Sequence, residues 1–298
     1  MPARSLFTNR VAVIATMHHK EQAIAPLIES ALGVKTLVPT GFNTDTFGTF
    51  TRETKRPADQ LETARLKARA ALELTGKTLA IASEGSFGPH PQIPFVACNR
   101  ELVLLYDLEY ELEIVGEVLS TETNYQSQTI DSPKDALAFA KSIGFPEHGL
   151  VVMCVPSTPT ARSIAKHEAG PTEAVAKGIT AESDLIQAVT LAIERSPMRK
   201  AHVETDMRAL YNPTRMSAIA QATQDLIANA TNLCPNCAYP GFSIARRFPG
   251  LPCSLCGAAT LLIRSVLYRC QHCQFQQDQP FPESIQSADP ANCFYCNP

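Results

Sequence analysis

The sequence predicts an α/β protein: a mixed-sheet N-terminal domain with flanking helices, followed by a small C-terminal region of two four-cysteine zinc ribbons. Three observations carry that prediction. Short β-branched runs alternate with helical patterns through the first 230 residues, as in βαβ units. Glycines stand where the helical patterns stop. Eight of the ten cysteines fall after residue 233, all in CxxC pairs. The expected division is therefore an α/β domain over 1–230 and a tandem zinc-ribbon region over 231–298.

Residues 10–16 read as a first buried strand, and 21–32 as a helix with Ile24, Leu27, Ile28 and Leu32 on one face and Gly33 as its stop. Residues 34–38 complete a βαβ unit, for which a right-handed crossover is expected. The polar loop 41–53 holds four threonines, two acids and three phenylalanines. Loops of that length in compact domains usually carry function. The helix 59–75 buries Leu61, Ala64, Ala68, Ala71 and Leu72 and sets Glu62, Arg65, Arg69 and Glu73 on its other side. Gly76 ends it. The strand 78–81 then delivers the loop 82–91, Ala-Ser-Glu-Gly-Ser-Phe-Gly-Pro-His-Pro, rich in polar groups.

Residues 101–107 and 112–119 suggest an antiparallel hairpin added to the sheet. Ser132 and Pro133 open a helix to about residue 143. Residues 149–155 read as a buried strand, 156–171 as loop, and 180–194 as a helix capped by Thr180. The charges Glu204, Asp206, Arg208 and Arg215 are too many for a simple turn: either they return to the 82–91 loop as ligands or phosphate clamps, or they form a surface ion-pair cluster. A last helix spans 217–230. Cys98 and Cys154 read as small buried apolar residues.

A hydrophobic content of 45% with 18% charged residues suits a chain that buries a sizeable core. The formal charge of −3 gives no reason to expect nucleic-acid or membrane binding. No apolar run approaches the roughly 20 residues that cross a bilayer. The run 11–15 is too short for a signal peptide, so a cytoplasmic location is expected, where CxxC pairs serve metals rather than disulfides.

The knuckles are Cys234/Cys237, Cys253/Cys256, Cys270/Cys273 and Cys293/Cys296. Four thiolates close a tetrahedral Zn²⁺ site, so two structural zinc ions are expected. Pairing the knuckles in chain order, 234/237 with 253/256 and 270/273 with 293/296, is favoured, because joining 253/256 to 270/273 would strand the outer pairs. Four arginines against three acids after residue 230 make too weak a field for a phosphate backbone. A protein partner for the ribbons, or packing against the first domain, is expected instead.

The segment 61–70 with its Glu62-Thr63 pair, the strand after it and Ser83-Glu84-Gly85 resemble the inosine/xanthosine triphosphatase-like pyrophosphatases. So does the first strand ending in Ala15-Thr16, with Lys20 opening a helix. The chain as a whole resembles a bacterial family of unknown function that joins Asp-Thr-Phe-Gly-Thr-Phe and Ser-Glu-Gly-Ser-Phe-Gly-Pro-His-Pro segments to C-terminal zinc knuckles. The first resemblance implies a magnesium-dependent hydrolase acting on a nucleotide-like, phosphorylated small molecule. Glu62 and Glu84 would hold Mg²⁺ and a metal-bound water would attack. Lys20 and Arg65 would neutralise the phosphates, with His18 and Ser83 at the same strand ends. Asp45 or Glu53 would be the base, and His90 a candidate acid/base or ligand. The alternative is a noncatalytic adaptor that makes protein contacts through its ribbons.

Overall fold

The computed structural model describes residues 6–47, 58–155 and 174–297. Its first sheet contains β1 (Val11–Ala15), β2 (Lys35–Leu37), β3 (Leu79–Pro89), β4 (Ala97–Asp107) and β5 (Leu112–Ser120), in the order β2-β1-β3-β4-β5. Strands β2, β1 and β3 are parallel; β4 and β5 are antiparallel additions. The mixed sheet with flanking helices is thus the architecture the sequence predicts. Helix α1 (Glu21–Leu32) and helix α5 (Pro213–Thr231) cover one face, where Leu79, Ile81, Val103 and Leu105 meet Ile24, Ile28, Ile219 and Leu226. Helix α2 (Gln60–Thr75) covers the other, laying Ala64, Ala68 and Leu72 on Ala80, Ala82, Leu102 and Leu104. Each face follows from the period-two alternation of the strands. Gly33 (φ 69°) and Gly76 (φ 63°) close α1 and α2 in the left-handed conformation, as expected of them.

The main departure lies at residues 82–91. All but His90 and Pro91 are strand rather than loop. Strand β3 runs on to Pro89 and pairs with β4 along its whole length, from Leu79↔Asp107 to Pro89↔Ala97. Glycine, serine and proline lower strand propensity, but the partner strand overrides it. Residues 202–205 are likewise strand rather than part of a loose polar cluster, and α5 starts at Pro213 with Asn212 as its cap, four residues earlier than expected.

A second sheet, not foreseen, contains β6 (Ser127–Ile130), β7 (Leu150–Cys154), β8 (Ala174–Ile179) and β9 (Ala201–Thr205), in the order β6-β9-β7-β8 and antiparallel throughout. Helices α3 (Pro133–Ser142) and α4 (Glu182–Arg195) pack on it around Phe139, Leu150, Val152, Leu185, Val189 and Val203. The expected loop 156–171 lies outside the described residues. A third sheet, β10 (Ser243–Pro249), β11 (Ile263–Arg269) and β12 (Gln276–Pro280), carries the cysteine knuckles at its ends. Among the described residues no helix is long and apolar enough to cross a membrane.

Strand β5 is an edge strand, and its free backbone groups are taken up by side chains from two other elements. Gln271 bonds both backbone groups of Glu113, the carbonyl at 2.5 Å. Asn229 of α5 donates to the carbonyl of Val115 at 2.9 Å, and Asp225 of α5 accepts from the amide of Glu117 at 2.9 Å. Residues 113, 115 and 117 are the alternate positions whose backbone points away from β4, so these bonds occupy groups that another strand would need. Gly116 lets α5 come this close: a Cβ there would run into the backbone of Ala222 and Leu226. Gly116→Ala should therefore destabilise the protein by about 1–3 kcal/mol or more, since backbone cannot yield as a flexible side chain can. Urea denaturation of the variant measures this, and an unchanged midpoint would contradict the packing.

Candidate metal centres and a buried polar centre

The eight knuckle cysteines gather into two groups, and the grouping is crossed. Cys234, Cys237, Cys270 and Cys273 form one; Cys253, Cys256, Cys293 and Cys296 form the other. The expected pairing in chain order is wrong, and the strands explain why. β10 and β11 are antiparallel, with Ser243 opposite Arg269 and Pro249 opposite Ile263. At roughly 3.3 Å per residue each seven-residue strand carries the chain about 20 Å, from one group to the other. β12 returns it once more, from Gln276 beside Arg269 to Pro280 beside Ser265. Successive knuckles therefore alternate between the two ends of the sheet.

The sulfur positions suit a tetrahedral ion. Sγ atoms lie 3.7 Å apart for Cys234–Cys273 and for Cys237–Cys270, 3.8 Å for Cys253–Cys296 and 3.6 Å for Cys256–Cys293. A tetrahedron with metal–sulfur bonds of about 2.3 Å has an edge of about 3.8 Å, whereas a disulfide needs about 2.05 Å. Hydrogen bonds favour the thiolates of Cys273 and Cys253. The side chain of Asn236 donates to Cys273 and holds its thiol down to about 6; the amides of Cys256 and Leu255 hold Cys253 down to about 7. Cys237 is pushed up to about 12 by burial, and Cys296 to about 12 by its bond with Cys256. A thiol set that shares protons in this way gives them up to a divalent ion.

The two groups differ in setting. The first is proximal to the β1–β5 sheet. It lies in an aromatic cluster of Phe242, Tyr239, Tyr268 and Phe275. His272 stacks on Tyr239 at 4.4 Å, and the Tyr239 hydroxyl donates to the Tyr110 carbonyl at 2.8 Å. The second group is distal. Hydrogen bonds of its loops join residues 250–297 to one another, for instance Ser254 to Ala288 at 2.9 Å, and Cys256 is exposed.

A second concentration of unusual groups sits where β1 ends. Lys20, at the start of α1, is 6% exposed, and its ammonium donates to the Ser83 hydroxyl at 3.0 Å and the Ser83 carbonyl at 3.2 Å. Glu84 points to the opposite face of β3 and pairs with Lys67 of α2. Across from Gly85 on β4 stands Glu101, whose carboxylate accepts from the Arg215 guanidinium at 2.8 Å, both side chains fully buried. Gly85 is required there: a Cβ would collide with that pair. Arg215 also donates to the Met207 carbonyl and lies 5.3 Å over the Phe87 ring, which stacks on Tyr125. Three cations thus face two carboxylates at the carboxyl end of a parallel strand, where open α/β sheets bind ligands.

Of the predicted phosphate-binding residues, Lys20 and Ser83 meet. His18 lies in the same turn, its amide donating to the Thr16 hydroxyl at 3.3 Å. Arg65 does not join them; it bonds Glu113 at 2.8 Å and Glu62 at 3.1 Å. Glu62 and Glu84 are held by different cations. Glu62 is half-exposed against Arg65 and Arg69, about 140° round the helix from Lys67, which takes Glu84. His90 is further off: six residues along the strand from Glu84 is about 20 Å. There its ring accepts from the Gln92 amide at 3.2 Å. The backbone of Asp45 lies in a 3₁₀ turn, Thr44–Phe47, but its side chain, like all of Glu53, lies outside the described residues. Among the described residues, only the two cysteine groups bring three potential metal ligands together.

Sequence reasoning flagged Arg215 but missed Lys67 and Glu101. Lys67 follows Thr63 by four on the buried side of α2, and a lysine in an alanine stripe was the available signal. Glu101 opens an apolar run and gave none.

Burial pushes Lys20 down to about 7, with Arg215 and Lys67 adding to the effect and Glu101 and Glu84 opposing it. The unfolded chain keeps this proton to about 10.4. Between those values the unfolded state binds more protons, so Lys20 makes stability rise with pH across that window, by on the order of a few kcal/mol. Below about 7 the whole cost of burying the charge is present. Lys20→Met should flatten the rise between pH 7 and 10; parallel urea midpoints for variant and wild type would refute the burial effect.

The model of one protein family, a domain of unknown function (DUF6671), matches residues 67–298. The match takes in Lys67, Ser83, Glu84, Glu101, Arg215 and all eight knuckle cysteines, and begins after Lys20 and Glu62. No curated protein matches the chain.

Proposed function

We propose that this chain, which belongs to the DUF6671 family, is a zinc protein that works by binding, with the face around its distal cysteine group as the contact surface for another protein. The observation that carries this is what the distal knuckles expose: Leu255 is 74% exposed, Phe294 65% and Tyr295 82%, where the matching positions of the proximal knuckles hold Pro235-Asn236 and Gln271-His272. Large apolar side chains gathered at one exposed place mark interaction surfaces. Two closed four-thiolate sites support zinc in a structural role, in the reducing setting of a cytoplasm. Metal analysis should find about two zinc ions per chain; iron, or a single ion, refutes that part. Replacing Leu255, Phe294 and Tyr295 together by serine should abolish a partner's capture while metal content and melting stay as in wild type. Capture by the triple variant equal to that of wild type refutes the surface.

The polar centre favours a second reading, a metal-dependent phosphohydrolase acting on a nucleotide-like substrate. Lys20 supports it: it is the cation left over once Lys67 pairs with Glu84 and Arg215 with Glu101, and a phosphorylated ligand beside it would favour its charged form. Magnesium there would need Glu84 released from Lys67. Nucleoside triphosphates with Mg²⁺ or Mn²⁺ test it: no turnover, or full turnover in Glu84→Gln, ends this reading.

A further inference from the structure

We infer that the two metal centres are unequal, the proximal one a retained structural ion and the distal one an exchangeable site through which metal availability governs the exposed apolar face. The inference rests on the protein-binding reading for its consequence, though not for the inequality itself.

A chelator or thiol reagent removes a metal by reaching its sulfurs, and the apolar shell around a site controls that approach. The proximal group has such a shell: Cys234 is 1% exposed and Cys270 0%, with Phe242, Tyr268 and Phe275 packed on them. It is also fastened to the β1–β5 sheet by Gln271 and Tyr239, so loosening a proximal knuckle must also break contacts on β5 and the turn before it. The distal group buries Cys253 (3% exposed) and Cys293 (2%) to the same degree, and differs in that its loops bond within residues 250–297 rather than to the β1–β5 sheet. Cys256 is exposed, and both residues inside the Cys293/Cys296 knuckle turn outward.

Crossed connectivity decides what each loss would undo. Releasing the distal ion frees the knuckle 253–256 and the segment after β12, while β10, β11 and the proximal ion still tie 234/237 to 270/273. The distal face would then loosen: Pro252 and Ser254 still bond Ala288 at 2.8 and 2.9 Å, but the ion is what holds the 293–296 knuckle, with Phe294 and Tyr295, against the 253–256 knuckle. The β1–β5 sheet and the proximal ribbon would stay intact. The distal ion therefore acts as the fastener of a surface, and the proximal ion as the fastener of a fold.

The test uses the full chain carrying two zinc ions, a metallochromic chelator in excess, and pulses of iodoacetamide read by mass spectrometry at each cysteine. The expected result is two phases, one equivalent leaving at least tenfold faster than the other. Cys253, Cys256, Cys293 and Cys296 should be alkylated in the fast phase. Cys256→Ser should show the slow phase alone, with far-ultraviolet dichroism close to wild type. Release of both ions at one rate overturns the inference, as does first labelling at Cys234, Cys237, Cys270 or Cys273. Should the biphasic release hold and the serine triple variant still capture its partner, the binding surface fails and the inequality stands.

Discussion

Arg215→Ala should cost about 3–5 kcal/mol of stability, the range for leaving a buried partner charge uncompensated. Arg215 is fully buried, and Glu101, which it holds, is equally sealed. Removing the guanidinium leaves the Glu101 carboxylate without its cation, the Met207 carbonyl without a donor and Phe87 with a void. The loss should not be confined to one sheet. Glu101 belongs to β4 and Met207 follows β9, so Arg215 ties the first sheet to the second. Its neighbour Asn212 reinforces that tie, capping α5 and donating to Asn124 at 2.9 Å. Urea unfolding followed by dichroism should show a lower midpoint and a broader transition, as the second sheet loosens ahead of the first. Glu101→Leu combined with Arg215→Met should recover part of the loss, since apolar residues of similar size remove both charges together. A double variant as unstable as the sum of the two single ones would show that the pair is no coupled unit.

The parts of this fold legible in the sequence were those governed by local pattern. Helices α1 and α2 follow from their apolar faces and from Gly33 and Gly76, and β1 and β7 from unbroken β-branched runs. The β3–β4 hairpin was hidden because Ser83, Glu84, Gly85 and Ser86 have no strand propensity of their own; β4 supplies it across eleven paired residues. The second sheet was hidden because β6 and β9 are fragments of polar sequence: β9 becomes a strand beside β7, and β6 beside β9. At the two cysteine groups, the candidate ligands were fully legible, since CxxC spacing is a property of one turn. Ligand partnership was not, because it depends on two antiparallel ladders that send the chain back and forth between the groups. For the polar centre, Lys20 and Ser83 were found from their place at strand ends. Lys67, Glu101 and Arg215 come from a helix face, a distant strand and the last helix, which only the folded sheet brings together.

Removing the proximal ion should have the largest effect of any single change in the C-terminal region. Apparent binding free energies of structural zinc run to about 10–16 kcal/mol, and in so small a ribbon that energy is folding energy. Cys270→Ser, or exhaustive chelation, should therefore unravel β10, β11 and β12 together. The consequence reaches beyond the ribbon. Gln271 lies inside a proximal knuckle, and it occupies the amide and carbonyl of Glu113 on the edge of β5. Without the ion that residue is no longer held, and the start of the edge strand opens, while Asn229 and Asp225 of α5 continue to cover Val115 and Glu117. An opened edge invites another strand. Hydrogen exchange should show the Glu113 amide losing protection on metal removal while that of Glu117 keeps it, and light scattering should show concentration-dependent association. Cys256→Ser, at the distal group, should do neither. If Glu113 stays protected after the proximal ion is gone, the ribbon is held to the sheet by Tyr239 and its neighbours rather than by the metal.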